Sequence, residues 1–200
     1  MTYSDDLKVC WFTPQRTGTR STHALLSELN FQSLGTHAFV LPPERKDYFL
    51  ISNVRNPYSR MVSLFSLYSV HKNFFEIDFK KWVPYALADE NFDFSYQLRY
   101  ERKILKVNRN FDKFIKVENI KDDLLTLDFI DLSQSNLKEV WDNNIEKNSY
   151  SVEFDQVKTE EKKTWQDFYD EETSSLVYNT LKDQFDLFNY KKNSWKDGTS

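Results

Sequence analysis

The chain has 200 residues, 40% of them hydrophobic and 16% aromatic, with 17 Phe and 11 Tyr; this excludes an intrinsically disordered chain and suits one domain that buries roughly 70% of its unfolded surface. Lys and Arg total 27 against 31 Asp and Glu, a formal charge of -4, so a nucleic-acid binder working through a general basic surface is excluded and any anion site must be local. The single Cys10 rules out an internal disulfide framework and a cysteine zinc site.

The acidic start, Met1 to Asp6, carries neither a positive n-region nor an apolar h-region, so a cytoplasmic location is expected. No stretch approaches the ~20 apolar residues of a membrane span. Leu7 to Phe12 is a short apolar run halted by Pro14, which predicts a buried first strand with Cys10 inside it. After a loop through Ser21, the run Thr22 to Leu29 sets Leu25, Leu26 and Leu29 at helical spacing.

Tyr48 to Val54 predicts a second strand, stopped by Asn56-Pro57, with Pro57 placed to open a helix. Met61, Leu64, Phe65 and Tyr68 then fall at i, i+3, i+4 and i+7 on that helix. Trp82, Tyr85 and Ala86 suggest a short helix, Phe114 to Val117 a third strand, Leu137, Val140 and Trp141 a helix around 136 to 143, and Val177, Leu181 and Phe185 a late one. Strands followed by helices favour an α/β fold: a central parallel sheet flanked by helices, ligands at the carboxyl ends of its strands, and a helical C-terminal third. With Gly at 3, Pro at 5 and no repeat or linker, a single domain over 1–200 is expected, its core about 7–190 and 191–200 a polar, frayed tail.

The chemistry concentrates in two loops. Pro14-Gln15-Arg16-Thr17-Gly18-Thr19-Arg20-Ser21 joins a strand to a helix and gathers hydroxyls, two Arg and a Gly. Backbone N–H groups at a helix start form a ready phosphate or sulfate cradle, and Gly18 lets the backbone approach closely. The alternative is a helix N-cap by Ser21 or Thr19 with solvated arginines. The loop lacks the Gly-Lys of a nucleotide-triphosphatase P-loop. In the second, Arg55-Asn56-Pro57-Tyr58-Ser59-Arg60-Met61-Val62-Ser63, Arg55 offers a planar fork of donors at the end of a strand and Ser63 adds a hydroxyl from the helix, while Arg60 taken alone reads equally as a solvated charge.

Together and in this order, the two loops resemble the cofactor-binding signature of sulfotransferases that use 3′-phosphoadenosine 5′-phosphosulfate (PAPS), especially the carbohydrate and glycosaminoglycan branch. Arg16-Thr17-Gly18-Thr19-Arg20-Ser21 resembles the 5′-phosphosulfate loop, usually Lys-x-Gly-Thr, and Arg55-Asn56-Pro57, then Arg60 and Ser63, matches the 3′-phosphate motif. Phe114 to Ile120 is similar to the strand and acidic turn that follow in the family, and Trp165 to Asp170 with Asp183 to Tyr190 is similar to its closing helix, so the likeness spans about residues 8 to 190. The resemblance implies a P-loop-like phosphosulfate loop after the first strand and a transfer of the sulfuryl group from PAPS to a hydroxyl, less readily an amine, of an acceptor such as a saccharide, leaving 3′-phosphoadenosine 5′-phosphate.

The family's Lys in the first loop is Arg16 here, which stays protonated and so stabilises the leaving phosphate without giving it a proton. A base is also needed for the acceptor. Of His23, His37 and His71, the resemblance favours His37, between the first helix and the second strand, where the carbohydrate branch often carries a His or Glu base. His23 ranks second, one turn into the first helix, more readily packed against a strand; His71 reads as a solvated helix end, Glu44 lies in a Pro-rich turn, and Glu118 braces the fold. No His/Cys/Asp cluster has metal-ligand spacing, so no metal is expected. The acceptor loops fall at 36 to 47 and 72 to 100, where Phe74, Phe75, Trp82 and Tyr85 favour packing over stacking on a sugar. Other readings are a nucleoside or small-molecule kinase, which would need Gly-Lys-Ser/Thr and a magnesium-binding Asp, and an inactive phosphonucleotide-binding module.

Overall fold

The structure, a computed structural model, describes residues 1–34, 41–71, 78–88, 111–146 and 164–197. The chain divides into two compact units, Met1–Val54 with Tyr100–Ser149, and Arg55–Arg99 with Tyr150–Ser200.

The first unit is built on a five-stranded sheet: β1 (Thr2–Ser4), β2 (Val9–Phe12), β3 (Gln32–Ser33), β4 (Phe49–Val54) and β5 (Lys113–Lys116), in the order β3-β1-β2-β4-β5. β2, β4 and β5 run parallel, with Trp11 opposite Ile51 and Asn53 opposite Ile115. β1 and β3 are antiparallel additions, so the fold is α/β with a mixed sheet. The sequence leaves both out: β1 lies in the acidic start and β3 is a two-residue exposed pairing, too short for any periodicity to mark.

Alternation along the strands sorts the core into two faces. Val9, Trp11, Ile51 and Ile115 point to one side, where α1 (Thr19–Glu28) covers them with Leu25 and Leu26, and α4 (Ile120–Leu125) and α5 (Ser135–Val140) add Leu124 and Leu137. Met1, Tyr3, Cys10, Phe12 and Leu50 pack on the other, with Phe111 edge-on to Phe12 at 5.2 Å. Cys10 is fully buried, and burial pushes its thiol up to about 11. α5 runs directly into a π-helical turn, Trp141–Glu146, which carries Trp141 and Ile145 into the same core.

α1 ends in a Schellman motif. Asn30 is left-handed at φ 56°, its N–H reaches the Ser27 carbonyl at 3.1 Å, and Phe31 N–H reaches the Leu26 carbonyl at 3.0 Å. Asn serves there because its short polar side chain tolerates the left-handed region better than most.

The second unit is helical among its described residues: α2 (Pro57–His71), α3 (Phe79–Ala88), a 3₁₀ turn (Trp165–Phe168), α6 (Glu171–Phe188) and α7 (Ser194–Asp197). Much of the aromatic content gathers here. Tyr58 sits 4.8 Å from Phe185 and 5.1 Å from Tyr169, and Phe79 sits 5.4 Å from Phe65 and 5.1 Å from Tyr169, mostly edge to face. Tyr58 donates to the Lys192 carbonyl at 2.8 Å, and Tyr169 to the Tyr58 carbonyl at 2.9 Å, so burial raises both phenols while each keeps a partner. Trp82 packs on Phe65, whereas Tyr85 is 69% exposed; Phe74 and Phe75 lie outside the described residues.

α6 closes as α1 does, with Asn189 left-handed at φ 56° and Tyr190 N–H on the Phe185 carbonyl at 2.9 Å. The polar stretch from Lys191 holds a helical turn, α7, whose buried Ser194 accepts from Asn56 Nδ2 at 2.9 Å. Among the described residues, no helix is long and apolar enough to cross a membrane.

Candidate functional site

The first loop follows the carboxyl end of β2, between parallel β4 on one side and antiparallel β1 on the other. Its backbone alternates in hand: Arg16 has φ 64° and Gly18 φ 74°, with no positive φ at Thr17 between them. Two left-handed residues with one between them turn the chain sharply just before α1. Arg16, half-buried, holds a conformation that costs a non-glycine residue roughly 1–2 kcal/mol, strain that the surrounding loop must offset.

Pro14 anchors the turn. Its carbonyl accepts from the Thr17 N–H at 3.3 Å, the Thr17 hydroxyl at 2.6 Å and the Thr19 hydroxyl at 3.1 Å. Neither Thr19 nor Ser21 caps α1: the N-cap residue is Gly18, which has no side chain to offer. The alternative of a Ser or Thr cap is thereby removed, and the first-turn N–H groups of α1 keep the positive end of its dipole uncovered by any side-chain cap. A Cβ at Gly18 would meet only ordinary contacts, 3.6 Å to Ile120 Cδ1 and 3.6 Å to Val117 Cγ2, so it is the positive φ, not crowding, that calls for glycine. Thr17 is buried, Ser21 half-buried, and Arg20 exposed on the first turn of α1.

Beneath the loop lies a residue that the sequence reading passed over. Asn53, fully buried on β4, shares a face with Trp11 and Ile51. Its Oδ1 accepts from Trp11 Nε1 at 2.8 Å, while Nδ2 donates to the Thr17 carbonyl at 2.8 Å and to Thr22 Oγ1 at 2.7 Å. An Asn inside a predicted buried strand was the available signal, since a buried amide needs partners. Nearby, Thr13 Oγ1 and His23 Nε2 share a hydrogen bond of 2.9 Å, tying the end of β2 to α1.

The second motif belongs to the helical unit. Asn56 caps α2, its Oδ1 accepting from Tyr58 N–H at 3.0 Å, and Pro57 takes the first helical position. Arg55 is 5% exposed, with Nε donating to Ser59 Oγ at 2.7 Å. Ser63 is fully buried on α2. Arg60 corrects the reading of a solvated charge: it is 6% exposed, and a guanidinium withdrawn this far from water is held by specific groups. Of the remaining candidates, His37 lies outside the described residues, His71 is the last residue of α2, Glu118 sits half-buried in a 3₁₀ turn after β5, and Glu44 is exposed and bonded to Arg45 at 2.9 Å.

No family model matches this chain, and no curated protein or solved structure shows significant similarity to it.

Proposed function

We propose that the chain is a PAPS-dependent sulfotransferase, cytoplasmic, whose acceptor carries a hydroxyl and is a saccharide in the first instance. The observation that supports this most is the first loop: a strand-to-helix turn with alternating backbone hand, a glycine N-cap and no side-chain cap. Such a turn suits a tetrahedral oxyanion ester, and with its two Arg it plays the part of a P-loop without Gly-Lys. In this reading β2, β4 and β5 form the parallel core from whose carboxyl ends the cofactor is held.

Arg16 to Ser21 hold the 5′-phosphosulfate, and Arg55 with Ser63 holds the 3′-phosphate. The acceptor oxygen attacks sulfur in line while His37 takes its proton; the new O–S bond forms as the bond from sulfur to the bridging phosphate oxygen breaks. 3′-Phosphoadenosine 5′-phosphate leaves, with Arg16 offsetting its growing negative charge. The chemistry calls for no metal.

Calorimetric titration with 3′-phosphoadenosine 5′-phosphate, alongside magnesium ATP, tests the assignment. Tight binding of the bisphosphate with little response to ATP is the expected result. Binding of magnesium ATP alone would transfer the chain to the kinases, and binding of neither would end the reading. His37→Ala is expected to keep bisphosphate affinity and lose transfer; unchanged transfer would remove His37 as the base, and a chain that binds without turning over any acceptor would be a binding module.

A further inference from the structure

We infer that Asn53 is a positioning residue for the 5′-phosphosulfate loop, selecting which end of the Thr17–Gly18 peptide faces the anion; this rests on the sulfotransferase reading. The orientation of its amide follows from its partners. The Trp11 indole N–H can only donate, so the atom facing it at 2.8 Å is the amide oxygen. The two hydrogens of Nδ2 are thereby directed at the Thr17 carbonyl and the Thr22 hydroxyl.

In a trans peptide the C=O and the following N–H point in opposite directions. Drawing the Thr17 carbonyl toward buried Asn53 therefore aims the Gly18 N–H away from it. The preceding Arg16–Thr17 peptide is held in turn by the Thr17 N–H on the Pro14 carbonyl, so the Thr17–Gly18 peptide is reached through a fixed neighbour. Without the Asn53 donor, the peptide between Thr17 and the left-handed Gly18 is free to rotate and present its oxygen to the anion instead. Asn53 thus acts through the backbone and touches no substrate.

The test compares 3′-phosphoadenosine 5′-phosphate with adenosine 3′-phosphate, which lacks the group this loop would hold. In the unsubstituted chain the bisphosphate is expected to bind more tightly. In Asn53→Ala that preference falls about tenfold, the loss of one charge-assisted hydrogen bond, while affinity for adenosine 3′-phosphate stays unchanged. A general loosening of the fold would weaken both ligands together, which would overturn the inference, as would an unaltered preference; in either case the sulfotransferase reading survives. An unsubstituted chain that binds neither ligand overturns both.

Should Asn53→Ala fail to fold, the unsubstituted chain still decides. Glycine-selective ¹⁵N labelling gives amide signals from the 3 glycines alone. The Gly18 amide should shift with the bisphosphate and not with adenosine 3′-phosphate; a Gly18 signal indifferent to both, in a chain that binds the bisphosphate, overturns the role given to Asn53.

Discussion

The two candidate loops open their helices in contrasting ways. α1 is entered through Gly18 with no side-chain cap, whereas α2 is entered through Asn56, whose side chain takes the Tyr58 N–H, and through Pro57, which has no N–H. An uncapped start offers an anion the backbone itself; a capped start has committed part of that backbone already. On the proposed reading, anion affinity at the second motif would have to come from side chains, and there Arg55 and Ser63 are withdrawn from solvent, Arg55 with its Nε committed to Ser59. Similar ligand chemistry would then be met by backbone N–H groups in one place and a guanidinium fork in the other, and each makes its own demands on the sequence.

Substitutions can break this contrast at either end. The largest effect is expected for Asn53→Ala, which leaves the Trp11 indole N–H and the Thr17 carbonyl buried without their partner; about 3 kcal/mol of stability should be lost, measured by urea denaturation at constant slope. A loss below about 1 kcal/mol would mean that the loop does not lean on Asn53. Arg55→Ala comes next. If the fork carries the second motif, bisphosphate affinity should fall roughly thirtyfold, or about 2 kcal/mol by calorimetry, with a shallower salt dependence.

Asn56→Ala removes both the α2 cap and the bond to Ser194, so a stability loss of about 1.5 kcal/mol is expected. Gly18→Ala has room for its methyl group but not the right φ, and about 1 kcal/mol should follow; an unchanged denaturation midpoint would show that the loop can leave its left-handed turn without cost.

A third helix start refines the comparison with a charge. Asp170 caps α6 by accepting from Thr173 N–H at 2.8 Å and pairs with Lys80 at 2.8 Å, and the Lys80 bond, then the Thr173 bonds, hold its carboxyl well below the usual range. A depressed carboxylate adds stability above its unfolded pKa of about 3.9 and loses it as pH falls toward the folded value. With side chains 43% and 47% exposed, the pair is screened, and the contribution should stay under about 1 kcal/mol. Asp170→Asn is therefore expected to narrow its stability gap from the parent as pH drops below about 4, and a gap independent of pH would assign the effect to geometry alone.

Periodicity and punctuation carried much of the fold. The three parallel strands lie within about two residues of the runs Leu7 to Phe12, Tyr48 to Val54 and Phe114 to Val117, because these runs supply the apolar residues that the sheet buries. Pro57 opens α2 as expected. β1 and β3 were illegible, since a three-residue and a two-residue strand owe their existence to the edge they join. The Schellman ends at Asn30 and Asn189 were missed for a similar reason: a helix-ending Asn is recognisable only once its φ is known.

The candidate site divides along the same line. Residue type and order alone singled out Arg16 to Ser21 and Arg55 to Ser63 as candidate anion loops, because each collects arginines and hydroxyls where a strand gives way to a helix. Tertiary structure decided how each would do so. Whether Gly18 or a hydroxyl residue caps α1 and whether Arg60 sits in water depend on how the folded chain disposes and buries them. Which end of the Thr17–Gly18 peptide Asn53 draws in depends on Trp11 and Thr22, distant from it in sequence, and on burial that makes the choice costly to reverse.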